Sequence, residues 1–176
     1  VGQIEVGRAM RRLATEYGVF PAIARAAKGA GGSLKTDGNP LGEDRAKRAD
    51  WAEGLGVEEF EDGMEVLYFV GCYYAYDPRM RKAARATAEV LEEAEVEFGI
   101  LGSRESCCGE AIRKAGNEEV FRQLAKENIK AFIDAGVKKV LVSSPHCYET
   151  FVNEYPEFMV HFEVVHITQY LLELVK

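Results

Sequence analysis

The sequence predicts an α/β fold: a mostly parallel four-stranded sheet flanked by helices. A helical and irregular N-terminal extension over 1–62 leads into the α/β domain at 63–176. Three features lead there. From about residue 60, short β-rich apolar runs alternate with stretches of helical period, the order that right-handed strand–helix–strand crossovers produce. The first of these runs is continuous rather than alternating, as a strand covered on both faces requires. Capping residues and glycines mark where the helices begin and end.

The elements follow in order. MEVLYFVG (64–71) is the first strand. Asp77 then offers an N-cap and Pro78 a first helical position, and Met80, Ala83, Ala84, Thr87, Val90, Leu91 and Ala94 recur at helical spacing. VEFGILG (96–102) is the second strand. Asn117 caps a helix with glutamates in its first turn, where they complement the helix dipole. Val120, Phe121, Leu124, Ile129, Phe132 and Ile133 form the apolar stripe of that helix, and Gly136 ends it. VKKVLVSS (137–144) is a third strand, PHCYETFVNEY (145–155) a short helix, HFEVVHI (161–167) a fourth strand and TQYLLELVK (168–176) a last helix. Ahead of these, 4–28 reads as helix broken near Gly18 and Pro21, with a second short helix around 43–53. GAGG (29–32) is not a phosphate loop, because no strand precedes it and no Lys-Ser or Lys-Thr follows; it reads as flexible punctuation. Trp51 is expected to anchor the extension by packing, and Tyr73, Tyr74 and Tyr76 are expected to be packing residues.

Composition narrows the function. The 176 residues, 47% hydrophobic and 29% charged, suit one globular domain with a modest extension. A net charge of −7 without a basic stripe argues against a nucleic-acid partner, and Arg79-Met80-Arg81-Lys82 reads as a solvated helix face. No apolar run approaches the ~18 residues of a membrane span, so no direct membrane insertion is expected. The visible start has no leader pattern. A reducing cytoplasm is the expected compartment, with any membrane association arising through partner subunits. In that compartment clustered cysteines point to metal or redox chemistry rather than disulfides. The chain opens on Val1 and stops at LLELVK, which suggests a piece of a longer polypeptide.

The cysteines carry the functional signal. Cys72 follows the first strand, Cys107 and Cys108 lie in the loop after the second, and Cys147 lies just after the third. All four therefore fall at the carboxyl ends of strands, and in a parallel sheet those ends share the edge where open α/β folds build their sites. One buried cysteine is an ordinary core residue; four at one edge, two of them adjacent, suggest a thiolate site. Thiolates are soft ligands suited to zinc and iron–sulfur centres. Neighbouring residues point in different directions, so a CC pair can hold two atoms of a multinuclear cluster, whereas a single tetrahedral zinc more often uses CxxC knuckles.

The spacing is also a recognisable pattern. A lone Cys72, then Cys107-Cys108-Gly109, then Ser144-Pro145-His146-Cys147, with 34 residues in each gap between the groups, resembles the cysteine-rich CCG domain of the heterodisulfide-reductase family of iron–sulfur oxidoreductases. The flanking stretches YFVGCYYAYDPR, ILGSRESCCGEAIRKAGNE, SPHCYETFVNEYPEF, VVHITQYL and, upstream, GNPLGEDRAKRADW resemble it too. The resemblance implies electron transfer to or from a disulfide, quinone or hydroxy-acid oxidation system, as in heterodisulfide reductase and in the iron–sulfur subunits of glycolate and lactate oxidation. It implies a ferredoxin-like module, a second CCG domain and a flavoprotein as partners. It also implies a [4Fe-4S] cluster, cubane or non-cubane, held by Cys72, Cys107, Cys108 and Cys147; some such domains hold zinc instead.

The sequence departs from that pattern at Ser144, which stands where the family has the first cysteine of its final CxxC. A serine oxygen is a harder and less acidic ligand than a thiolate. Three outcomes follow: a four-thiolate iron–sulfur cluster, a zinc site, or a degenerate module serving structure and subunit assembly. A metal-free dithiol at Cys107 or Cys108 is a further alternative. Around the ligands, Ser144, His146 and Gly109 are expected beside the centre, with His146 placed to tune it by hydrogen bonding to sulfur. His166, ending the fourth strand at the same edge, is weighed against an ordinary structural histidine, as is His161. Glu105 and Glu110 bracket the CC pair. A helix starting after Gly109 is expected to aim N–H groups at the sulfurs and lower their pKa values.

Overall fold

The computed structural model describes residues 2–19 and 32–176. Five parallel strands form one sheet: β1 (Glu58–Glu59), β2 (Val66–Phe69), β3 (Phe98–Ile100), β4 (Lys139–Val142) and β5 (Glu163–His166), in the order β1-β3-β2-β4-β5. Registers such as Leu67 with Val140, Val66 with Phe98 and Val140 with Val164 set the carboxyl ends of β2, β3 and β4 side by side. The parallel α/β class is as expected, with five strands rather than four. The additional strand, β1, is two exposed glutamates. It carries no apolar period, so nothing local marks it; pairing with Gly99 and Ile100 at the sheet edge makes it a strand.

Seven helices with named bounds accompany the sheet among the described residues: α1 (Gln3–Glu16), α2 (Cys72–Tyr76), α3 (Pro78–Glu93), α4 (Glu110–Lys114), α5 (Glu118–Asp134), α6 (Pro145–Asn153) and α7 (Ile167–Leu174). Residues 32–37 are also helical. Caps act as expected: the Asp77 carboxylate accepts from the Arg79 and Met80 amides, and the Asn117 side chain accepts from that of Val120. The short helix near 43–53 is a 3-10 helix, Arg45–Ala52, capped by Asp44. The first helix ends by Gly18, whose φ of +66° suits a residue without a side chain. Its expected continuation to 28, with Pro21, and most of GAGG lie outside the described residues. Among those described, no helix is long and apolar enough to cross a membrane.

Strand β2 divides the core. Leu67 and Phe69 face α5, α6 and the 3-10 turn that follows α6, where Phe121, Leu124, Phe132, Phe151 and Tyr155 are buried. Val66 and Tyr68 face Ala84, Ala88 and Leu91 of α3, with Trp51 and Tyr170. Burying each large apolar side chain stabilises by about 1.5–3 kcal/mol, so both faces contribute. Trp51 packs edge-on against Tyr68, ring centroids 5.7 Å apart, and is a packing anchor as expected. The stripes differ in detail: Ile133, Val90, Ala83 and Ala94 are exposed, while Ala88, Ala125 and Asn128 are buried. Helix α1 is fastened by its arginines, with Arg8 on Glu154 and Arg11 donating to the Lys114 carbonyl.

Gly99 shows why β1 docks where it does. A Cβ there would come within 2.5 Å of the Phe60 backbone. Gly99→Ala is expected to cost about 1–3 kcal/mol, as overpacking does. Urea unfolding of the two proteins, compared at equal slope, checks this.

Candidate metal centre

The three central strands deliver four sulfurs to one edge. Cys72 is the first residue of α2, immediately beyond β2, and its N-cap Gly71 has φ +77°. A Cβ on Gly71 would lie 3.3 Å from the Cys147 sulfur, so the missing side chain lets the β2 and β4 loops close on one another. After β3 a single 3-10 turn (Gly102–Arg104) leads into Cys107 and Cys108. Gly109, φ +88°, then turns the chain into α4, where a Cβ would meet the Phe121 ring at 2.7 Å. Cys147 lies in the first turn of α6, behind Ser144 as N-cap and Pro145. All four cysteines are buried and unoxidised. With Tyr73 and Tyr74 they line a cavity of about 260 Å³. Among the described residues, no three histidine, cysteine or carboxylate side chains form a ready-made single-ion site.

The loop carrying the CC pair is held by buried polar groups. The Glu105 carboxylate, 1% exposed, accepts from the Val70 amide at 3.1 Å, the Gly71 amide at 2.9 Å and Arg48 Nε at 3.0 Å. It therefore joins the end of β2, the CC loop and the 3-10 helix of the extension. Arg48 Nη2 donates both to Glu105 and, at 3.6 Å, to the Cys72 sulfur. On the other side Asn128 of α5 accepts from the Ser106 amide at 2.9 Å and donates to the Ser106 and Cys107 carbonyls. The Tyr155 hydroxyl donates to the Cys108 carbonyl at 3.3 Å. The Cys107 amide donates to the Gly38 carbonyl at 2.7 Å, in a loop that Asn39 closes through its own side chain.

The thiols interact in sequence, Cys72 with Cys107, Cys107 with Cys108, Cys108 with Cys147. For Cys72, Cys107 and Cys108 the pKa shifts run opposite to the expected lowering. The hydrogen bond with Cys107, then burial, pushes Cys72 well up, against the pull of Arg48. Cys107 is pushed up to about 12 by its bond with Cys108, the bond with Cys72 working the other way, with burial adding to the rise. For Cys108 the bond with Cys107 lowers, but the bond with Cys147 and burial outweigh it and leave the thiol raised. The expected helix contribution is present, as the Gly109 amide lies 3.4 Å from the Cys107 sulfur. It is outweighed because like thiols crowded in a buried site disfavour charge.

The neighbours sort differently. Ser144 and His146 line the cavity, but the His146 side chain is 72% exposed and meets Glu110 at 3.3 Å. His166 contacts the Ser143 carbonyl and Thr168 as the cap of α7, and His161 lies exposed. Tyr73 is 59% exposed at the cavity mouth rather than packed, whereas Tyr76 is buried. Sequence reasoning missed Arg48, Asn128 and Tyr155. The Arg-Ala-Lys-Arg run looks like a solvated face, and only the fold shows that one of its arginines turns inward.

A parallel α/β domain gathering four buried thiols at its carboxyl edge defines a cysteine-rich redox or metal-binding class. Residues 66–152 match the family described as the CCG cysteine-rich domain, and the chain carries a domain of that family. It is 41% identical over 153 residues to the "Probable iron-sulfur-binding oxidoreductase FadF" of Bacillus subtilis, covering 82% of this chain and 22% of that one. It is 38% identical to the "EtfAB:quinone oxidoreductase" of Syntrophomonas wolfei, covering 81% and 21%. It is 35% identical to a dihydromethanophenazine:CoB–CoM heterodisulfide reductase polypeptide of Methanosarcina mazei, covering 78% and 34%. The chain thus spans about a fifth to a third of these relatives' lengths. No solved structure matches it.

Glu105→Ala would leave Arg48 buried without its counter-ion. A loss of about 3–5 kcal/mol is expected, the cost of breaking a buried pair from one side. Urea unfolding of the metal-free protein measures it.

Proposed function

We propose that this chain is an iron–sulfur electron-transfer module of a heterodisulfide-reductase-like oxidoreductase, with Cys72, Cys107, Cys108 and Cys147 as its ligands. The observation that carries the reading is four buried free thiols, from three successive strand–helix loops, around one cavity. The names of the relatives support it. The donor set suits the group: soft sulfurs favour iron–sulfur centres, and a multinuclear cluster uses donors spread around a cavity. A buried polar atom agrees as well. Arg48 Nη1 is buried with no acceptor among the described residues, an arrangement costing about 1–3 kcal/mol unless a further acceptor, such as a sulfide of a bound cluster, is present.

In this reading the bound cluster supplies one-electron chemistry, and the chain positions, buries and tunes it. The apolar wall and the Glu105 and Asn128 clamps hold the ligands in place; Tyr73, Tyr74 and His146 border the opening through which a redox partner or substrate approaches. Partners would be a ferredoxin-like module, a second CCG domain or a flavoprotein, with membrane association through them. Residues 1–62 would serve as an extension that braces the domain at 63–176 and lends its sheet the edge strand β1. Zinc or a metal-free dithiol are the competing outcomes.

Anaerobic purification tests this. A brown protein with broad visible absorption and about four irons per chain is expected, and Cys108→Ala should lose the iron. A colourless protein with one zinc, or iron retained without Cys108, overturns the assignment. Ser144→Cys adds a fifth thiol at the cavity wall. In the iron-loaded protein it is expected to change the visible and electron-paramagnetic spectra while Ser144→Ala leaves them unchanged.

A further inference from the structure

Arg48 is the buried cation nearest the thiols. Its side chain is 1% exposed, its Nη2 divides between Glu105 and the Cys72 sulfur at 3.6 Å, and its Nη1 has no acceptor among the described residues. The Tyr76 ring covers the guanidinium at 5.8 Å. Building on the ligand reading above, we propose that Arg48 is a positioning residue that raises the reduction potential of the centre held by Cys72.

The physical basis is local. A guanidinium keeps its charge at every working pH, and burial leaves its field little screened. Reduction adds negative charge to a thiolate-held centre, so a fixed cation and an N–H donor at one ligand sulfur favour the reduced state. Glu105, which accepts from Nε and Nη2 of Arg48 and from the Val70 and Gly71 amides, offsets part of the cation's field, so the effect on the centre is carried chiefly by the N–H that Nη2 directs at the Cys72 sulfur. His146, the tuning residue expected from sequence, is 72% exposed on its side chain and is screened by solvent. Gly109 gives Cys107 one neutral N–H; in the hydrogen bonds to cysteine sulfur among the described residues, a permanent cation reaches Cys72 alone of the four.

The test uses the full chain loaded with iron anaerobically and titrated reductively with dithionite while its visible spectrum is followed. Arg48→Gln combined with Glu105→Gln removes both charges together and leaves no unpaired ion. A roughly tenfold fall in the reduction equilibrium constant is expected, which for a one-electron couple is about 59 mV. Arg48→Lys keeps the cation and should stay close to the parent. A second measurement needs no substitution at the clamp: with ¹⁵N-guanidinium arginine, the paramagnetic state of the parent protein should show a ¹⁵N coupling from one nearby arginine. Iron bound with an unchanged potential in the folded double variant, or no ¹⁵N coupling in the parent, overturns this inference alone. A chain that binds no iron overturns the function proposed above, and this inference with it.

Discussion

The buried pair of Glu105 and Arg48 is the constraint on which the site depends. Two residues before the CC pair, one carboxylate collects the amides at the end of β2 and a guanidinium from the 3-10 helix of the extension. It ties Cys72 and the CC loop, which leave different strands, directly to one another. Neither ion can be solvated there, so each requires the other, and the cost of separating them keeps the loops in register. Such a pair adds little net stability compared with apolar side chains; what it contributes is position.

Around that pair, close approaches occur where side chains are missing. Gly71 lets the Cys147 sulfur sit against the β2 loop, and Gly109 lets the chain turn over the Phe121 ring. Asn128 and Tyr155 satisfy the carbonyls of a loop that has no ladder partner, which is how irregular backbone can be buried at all. The thiols are held near one another before any metal is considered. For Cys72, Cys107 and Cys108, mutual contacts and burial raise the pKa values, even with the Arg48 guanidinium beside Cys72.

Much of this was legible along the chain. The apolar run at Val66–Phe69, the Asp77-Pro78 start and the Asn117 cap rest on local physics and appear where local physics puts them. Strand β1 was not legible, because two exposed glutamates carry no signal apart from their partner β3. Arg48 was hidden for a similar reason: an arginine among other charges looks solvated until a buried counter-ion is known. The expected lowering of the thiol pKa values failed because the amides of Gly109 and Glu110 are outweighed by burial and by several thiols crowded together.

By itself the sequence determined the element types, the parallel class and the placement of four cysteines after three strands, since period, caps and spacing are properties of neighbouring residues. Tertiary structure alone decided which charges turn inward, how β1 joins the sheet edge, and that Cys72, Cys107, Cys108 and Cys147 share one cavity. Those outcomes depend on residues far apart in the chain, whose energies exist only once burial removes water from between them.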